Sequence, residues 1–148
     1  MGGWAGAWFA LHHPEVVPAC VGIAPALSFL ERRWWSLDEA ERNAWRDTGR
    51  LRVRNEWLDV EVGYGLMEER EQFDSVRLAR EWSTPLLIFH GMRDDSVPYA
   101  DSLAFLESTP CPEVELHLYR DGDHRLLAHK DEIAELTCAF FERRWPAS

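Results

Sequence analysis

Two stretches of the 148-residue chain carry side chains suited to nucleophilic chemistry. His90-Gly91-Met92-Arg93-Asp94-Asp95-Ser96-Val97-Pro98 follows an apolar run at 85–89, and Asp121-Gly122-Asp123-His124-Arg125 follows the alternating run Val114–Tyr119. A carboxylate and an imidazole together can take a proton from a nucleophile and return it to a leaving group, the acid fixing the imidazole's tautomer and stabilising its cation. Asp94 is the candidate acid, Asp95 its rival one step on, and His124 the candidate base. Each has a plain structural reading as well: Asp94 as a turn or cap residue, His124 as a solvated loop histidine. The chain opens Met1-Gly2-Gly3-Trp4-Ala5-Gly6, which suits the back half of a sharp strand-to-helix turn whose serine stands immediately before Met1. A flexible glycine lead is the other reading of that start.

These residues need elements to hold them. The uninterrupted apolar runs at 19–24 and 85–90 read as strands buried on both faces. Val114–Tyr119 alternates, with Val114, Leu116 and Leu118 on one face and Glu115, His117 and Tyr119 on the other, as suits a strand nearer an edge. Helices are expected over Gly2–His12, ending at His13-Pro14, over 99–107, and over 130–143, where Ile133, Leu136, Phe140 and Phe141 form a stripe at helical spacing. Gly2, Gly3, Gly6 and Ala10 leave one side of the first helix nearly bare, so that side is expected to pack closely on a sheet. Strands alternating with helices imply a parallel sheet, and in such sheets ligands sit at the carboxyl ends of the strands. Asp94 and His124 both fall at such ends, and His90 is placed to support the turn that carries Asp94.

Residues 28–83 differ in composition. They hold Trp34, Trp35, Trp45, Trp57 and Trp82, and a charged helical stretch at 36–47 in which Ser36 and Glu39 read as a capping box and Gly49 as the stop. Residues 51–62 alternate loosely, as a short hairpin or an extended arm. The segment is expected to be a cap inserted into a core of 1–27 and 84–148; a helical connector with core tryptophans is the plainer reading.

Composition bounds the partners. Sixteen Lys and Arg against 26 Asp and Glu give a net charge of −10, which repels phosphate backbones and anionic lipid, so neither nucleic acid nor membrane is expected as a partner. No apolar run reaches membrane-spanning length and no leader-like start is visible, which points to the cytoplasm. Cys20, Cys111 and Cys138 are odd in number and form no CxxC pair, so reduced thiols are expected, with Cys20 and Cys138 in the core. The remaining histidines, His12, His13, His117 and His129, show no metal-ligand spacing; no metal and no cofactor are predicted.

The order of these signals resembles the α/β-hydrolase superfamily, whose triad runs serine, acid, histidine along the chain. The resemblance rests on HGxxDxxVP, filled by His90, Gly91, Asp94, Val97 and Pro98, and on the histidine loop Gly122-Asp123-His124. More narrowly, HGMRDDSVPY and DGDHR look like the branch of palmitoyl-protein thioesterases and acyl-glucuronide esterases. It implies the C-terminal part of a parallel α/β-hydrolase sheet flanked by helices, with the Trp-rich insertion shaping an acyl pocket. It also implies a Ser-Asp-His triad that cleaves a carboxylic ester or thioester of a small acyl substrate, with the backbone amide of Met1 in the oxyanion hole. Ser28, Ser36, Ser75, Ser83, Ser96, Ser102 and Ser108 lie in no glycine-flanked elbow, so the chain is expected to be inactive alone. An upstream reading frame encoding Gly-x-Ser would then complete the elbow. Two other readings stand beside it: a non-catalytic hydrolase-like binding module that completes its sheet with another chain or self-associates through an exposed edge, and a prolyl-oligopeptidase-like serine peptidase.

Overall fold

The apolar run before His90 becomes β4 (Leu86–Gly91), whose residues are all buried because strands flank it on both sides. The computed structural model describes residues 1–54 and 59–145. β1 (Cys20–Ile23) and β5 (Val114–Tyr119) pair with β4 in parallel, in the order β1-β4-β5. The register aligns Ile23 with Phe89 and Gly91 with Tyr119, so the segments leaving β4 and β5 start level at one edge.

β1 differs from the expected doubly buried strand. It is half-buried, and Ile23 is 53% exposed, because β4 is its one strand neighbour among the described residues. β5 lies at the other edge, yet its polar-looking face is not given to water. His117 and Tyr119 stack toward the Phe89 ring, with centroids 5.4 and 6.4 Å away, whereas Leu118 is exposed.

Helices α1 (Gly2–His12), α5 (Ser75–Glu81), α6 (Tyr99–Ser108) and α7 (Lys130–Glu142) accompany these strands. The α7 stripe covers the sheet: Ile133 and Phe140 pack with Leu87, Phe89 and Leu126, and Leu136, Phe141 and Tyr119 join them at the margin. Full burial of such a side chain contributes roughly 1.5–3 kcal/mol. Cys138 sits off this stripe and is exposed, contrary to the core position expected; Cys20 is half-buried. On the side of α1 expected to pack closely, Ala10 is buried, and of the three glycines Gly3 makes a close approach. A Cβ there would stand 3.0 Å from Pro25 Cβ, whereas one on Gly2 or Gly6 would meet nothing within 4 Å, because those residues face outward.

The chain divides into two compact units, one of Met1–Leu27 with Val76–Ser148 and the other of Ser28–Ser75. The division falls after Ser75 rather than after Ser83, so nearly all of α5, and Trp82 after it, go with the sheet. The second unit holds α2 (Phe29–Trp35), α3 (Glu39–Thr48), the antiparallel pair β2 (Arg50–Arg54) and β3 (Asp59–Gly63), and α4 (Gly65–Glu68). The capping box of α3 is built by Asp38 and Glu41, two residues later than Ser36 and Glu39. Asp38 Oδ1 accepts from the Glu41 amide at 2.8 Å and Glu41 Oε2 from the Asp38 amide at 2.9 Å. Ser36 is occupied at the end of α2, where its hydroxyl donates to the Arg33 carbonyl. Gly49 ends α3 at φ 71°, the left-handed conformation a glycine adopts freely. Trp45 is buried in this unit, as are Leu30, Val62 and Met67, and donates its indole N–H to the Val62 carbonyl at 3.0 Å. Trp34 lies under the Arg42 and Arg70 guanidinium groups, and Trp35 is exposed. Trp57 and the expected turn of the hairpin lie outside the described residues. Among the described residues no helix is long and apolar enough to cross a membrane.

Candidate active site

Because Gly91 pairs with Tyr119, the loops after β4 and β5 begin side by side, and backbone bonds join them beyond the strands. The Met92 amide donates to the Tyr119 carbonyl at 2.8 Å and the Arg93 amide to the Gly122 carbonyl at 2.9 Å. Two glycines make this approach feasible. A Cβ on Gly91 would stand 2.5 Å from the Gly122 carbonyl carbon and 2.6 Å from the Asp123 oxygen, and one on Gly122 would stand 3.1 Å from Gly91 Cα. These neighbours are backbone and cannot rotate away. Gly91→Ala is therefore expected to cost about 1–3 kcal/mol of stability and to part the two loops, whereas Gly2→Ala and Gly6→Ala, in open space on a helix, are expected to be neutral or slightly stabilising. Denaturant midpoints of the three variants check the contrast.

Each loop then folds around an aspartate. Asp94 Oδ1 accepts from the Ser96 and Val97 amides at 2.9 and 2.8 Å, and Asp123 Oδ1 accepts from the Arg125 and Leu126 amides at 3.0 and 2.9 Å. The second turn holds Leu126 at φ 52°, a conformation sustained by burying its side chain in the core. With both loops tied, His124 Nδ1 lies 2.8 Å from Asp94 Oδ2. A carboxylate only accepts, so the proton of that bond is on Nδ1 and the lone pair of the neutral ring is on Nε2. Nε2 meets no hydrogen-bond partner among the described residues, and the His124 side chain is 36% exposed while that of Asp94 is 0% exposed.

Asp95 faces solvent and accepts from the Ser96 hydroxyl at 3.1 Å. His90 is buried beneath the acid loop, its Nε2 2.9 Å from the Val97 carbonyl and 3.2 Å from Asp94 Oδ2. Its partner on the other nitrogen, Ser102 of α6, was signalled by nothing in the sequence. Met1 is the N-cap of α1, half-exposed, and desolvation lowers the pKa of its terminal amine. The start of α1 belongs to the same sheet edge: Gly3 abuts Pro25, and Ala24, just before it, donates its amide to the Phe89 carbonyl of β4 at 2.8 Å. Burial pushes the Cys20 thiol up to about 11, which keeps it protonated and unreactive near neutral pH. Among the described residues no group of three or more His, Cys, Asp or Glu side chains is placed to hold a metal ion.

A family model described as serine aminopeptidase, S33, matches residues 30–131. The chain belongs to the S33 hydrolase family. Its curated relatives include the mitochondrial palmitoyl-protein thioesterase ABHD10 of Mus musculus, 26% identical over 147 residues, an alignment that covers 93% of this chain and 47% of the relative. The S33 chain thus spans about half the length of the curated relatives it matches. Among solved structures, a hydrolase candidate from Agrobacterium vitis S4 superposes with a TM-score of 0.79 at 27% identity, covering 95% of this chain and 58% of the other. Mouse alpha/beta hydrolase domain-containing protein 10 gives 0.68 at 24% identity, with 90% and 59% covered. The fold of this S33 chain is that of the α/β hydrolases.

Proposed function

We propose that the chain supplies the acid and the histidine of a Ser-His-Asp triad that cleaves a carboxylic ester or thioester of a small acyl substrate. The observation that carries this reading is the 2.8 Å contact of His124 Nδ1 with a buried Asp94 oxygen, which leaves His124 Nε2 open. The nucleophile in this reading is a serine immediately before Met1, on the strand side of α1. His124 Nε2 takes the serine's proton as its oxygen bonds to the acyl carbon, and then delivers that proton to the departing alkoxide or thiolate. Water attacks the acyl-enzyme by the same route in reverse. Asp94 keeps the ring in the required tautomer and stabilises its cation. The amide of Met1, once part of a peptide bond, donates to the oxyanion. The thioesterase name of the curated relatives favours an acyl substrate, and no cofactor is required.

A serine-reactive fluorophosphonate tests the proposal. Protein extended through its upstream reading frame is expected to be labelled on the serine before Met1, and the 148-residue chain is expected to remain unlabelled. An extended protein that folds but takes no label would favour a non-catalytic binding module. The serine aminopeptidase description of the family favours a second reading, hydrolysis of a peptide bond. Faster turnover of an aminoacyl anilide than of matched oxygen and thiol esters would select it.

A further inference from the structure

One buried titratable group has no part in the proton transfers just described. The His90 ring, at the end of β4, is 0% exposed, and so is Ser102 on α6. His90 Nδ1 lies 2.8 Å from Ser102 Oγ, and Nε2 lies 2.9 Å from the Val97 carbonyl and 3.2 Å from Asp94 Oδ2. A carbonyl can only accept, so Nε2 carries a proton, and Nδ1 of the neutral ring accepts the Ser102 hydroxyl hydrogen. Ser102, His90 and Asp94 have the composition of a catalytic triad. Ser102 is sealed from solvent, however, so no substrate carbonyl can reach its oxygen.

What the three can do is hold a shape. Val97, which accepts from His90 through its carbonyl, donates its own amide to Asp94 Oδ1 at 2.8 Å. His90 therefore closes the acid turn from beneath, and its N–H also lies against Oδ2, the oxygen that accepts from His124. The opposite His90 tautomer would turn an Nε2 lone pair toward a carbonyl and a carboxylate, and in a site closed to bulk solvent that repulsion would open the turn. Ser102 opposes this switch by giving Nδ1 a donor.

We propose that Ser102 and His90 form a buried positioning relay that fixes the Asp94 carboxylate in the orientation His124 requires. The relay rests on reading Asp94 and His124 as a working pair; neither relay residue touches the reacting atoms. It links α6 to the site, so a hydroxyl with no access to substrate governs the tautomer of a partly exposed histidine.

Protein labelled with ¹⁵N-histidine reports which ring nitrogen carries each proton. The parent is expected to show His90 protonated on Nε2 and His124 on Nδ1, the latter with a far-downfield proton resonance. Ser102→Ala is expected to give His90 a second tautomer and to broaden the His124 resonance. His90→Phe, of similar bulk, is expected to lose that resonance, and His90→Gln, which returns an N–H donor, to restore it. In the extended protein Ser102→Ala and His90→Phe are expected to lower kcat by about tenfold to a hundredfold with KM changed less than about twofold. Folded Ser102→Ala and His90→Phe proteins with an unchanged His124 tautomer and resonance would overturn the relay; if His90→Phe does not fold, Ser102→Ala decides by the same readouts. The expected spectra in an extended protein that no fluorophosphonate labels would uphold the relay and reject the hydrolytic reading.

Discussion

His124→Ala in the extended protein is expected to lower kcat/KM by about four orders of magnitude or more, while the melting temperature stays close to that of the parent. At about 1.4 kcal/mol per decade, this is a loss of at least about 5.5 kcal/mol of transition-state stabilisation. The effect on folding is small because the side chain is partly exposed and, among the described residues, its hydrogen bond runs to Asp94 alone, whose carboxylate retains its two backbone donors. Fluorophosphonate labelling should slow by a similar factor, since the same imidazole activates the serine for both reactions. A folded His124→Ala protein that turned over ester within tenfold of the parent would remove His124 from the mechanism.

The meeting of Asp94 with His124 was legible because two local patterns coincided with a rule of parallel sheets. Asp94 and His124 each follow an apolar or alternating run, and parallel strands bring such ends to one edge, as the pairing of Gly91 with Tyr119 does here. Hydrophobicity reports burial but not the number of neighbouring strands, so the run at 19–24 reads like that at 85–90 although β1 is half-buried and β4 fully buried. The start of α3 was ambiguous for a different reason. Ser36-x-x-Glu39 and Asp38-x-x-Glu41 both satisfy the capping pattern, and the choice depends on α2, whose last turn claims the Ser36 hydroxyl. The glycines of α1 were grouped by their small size, but only the neighbour of Gly3, Pro25, distinguishes it from Gly2 and Gly6. Ser102 was silent altogether. It is a helix residue with no motif of its own, and its role depends on a contact with His90 across the acid loop.

Asp94→Asn is expected to be nearly as damaging as loss of His124, and the geometry states why. The amide oxygen can take the place of Oδ1 and keep accepting from the Ser96 and Val97 amides, so the turn persists. Its NH₂ group then stands where Oδ2 was, facing the Nδ1–H of His124 and the Nε2–H of His90. Donor against donor is repulsive, and His124 relieves it by moving its proton to Nε2 so that Nδ1 can accept from the new amide. The histidine that results has no lone pair to offer the serine. A fall of about 10⁴-fold in kcat follows from this tautomer change alone, with the fold intact. Asp95→Asn alters a side chain that faces solvent and, among the described residues, accepts from the Ser96 hydroxyl alone, so a change within a few-fold is expected. The two variants, compared by kcat and by the ring nitrogen on which His124 carries its proton, separate the acids: a greater loss with Asp95→Asn, or an Nδ1-protonated His124 persisting in Asp94→Asn, would transfer the role away from Asp94.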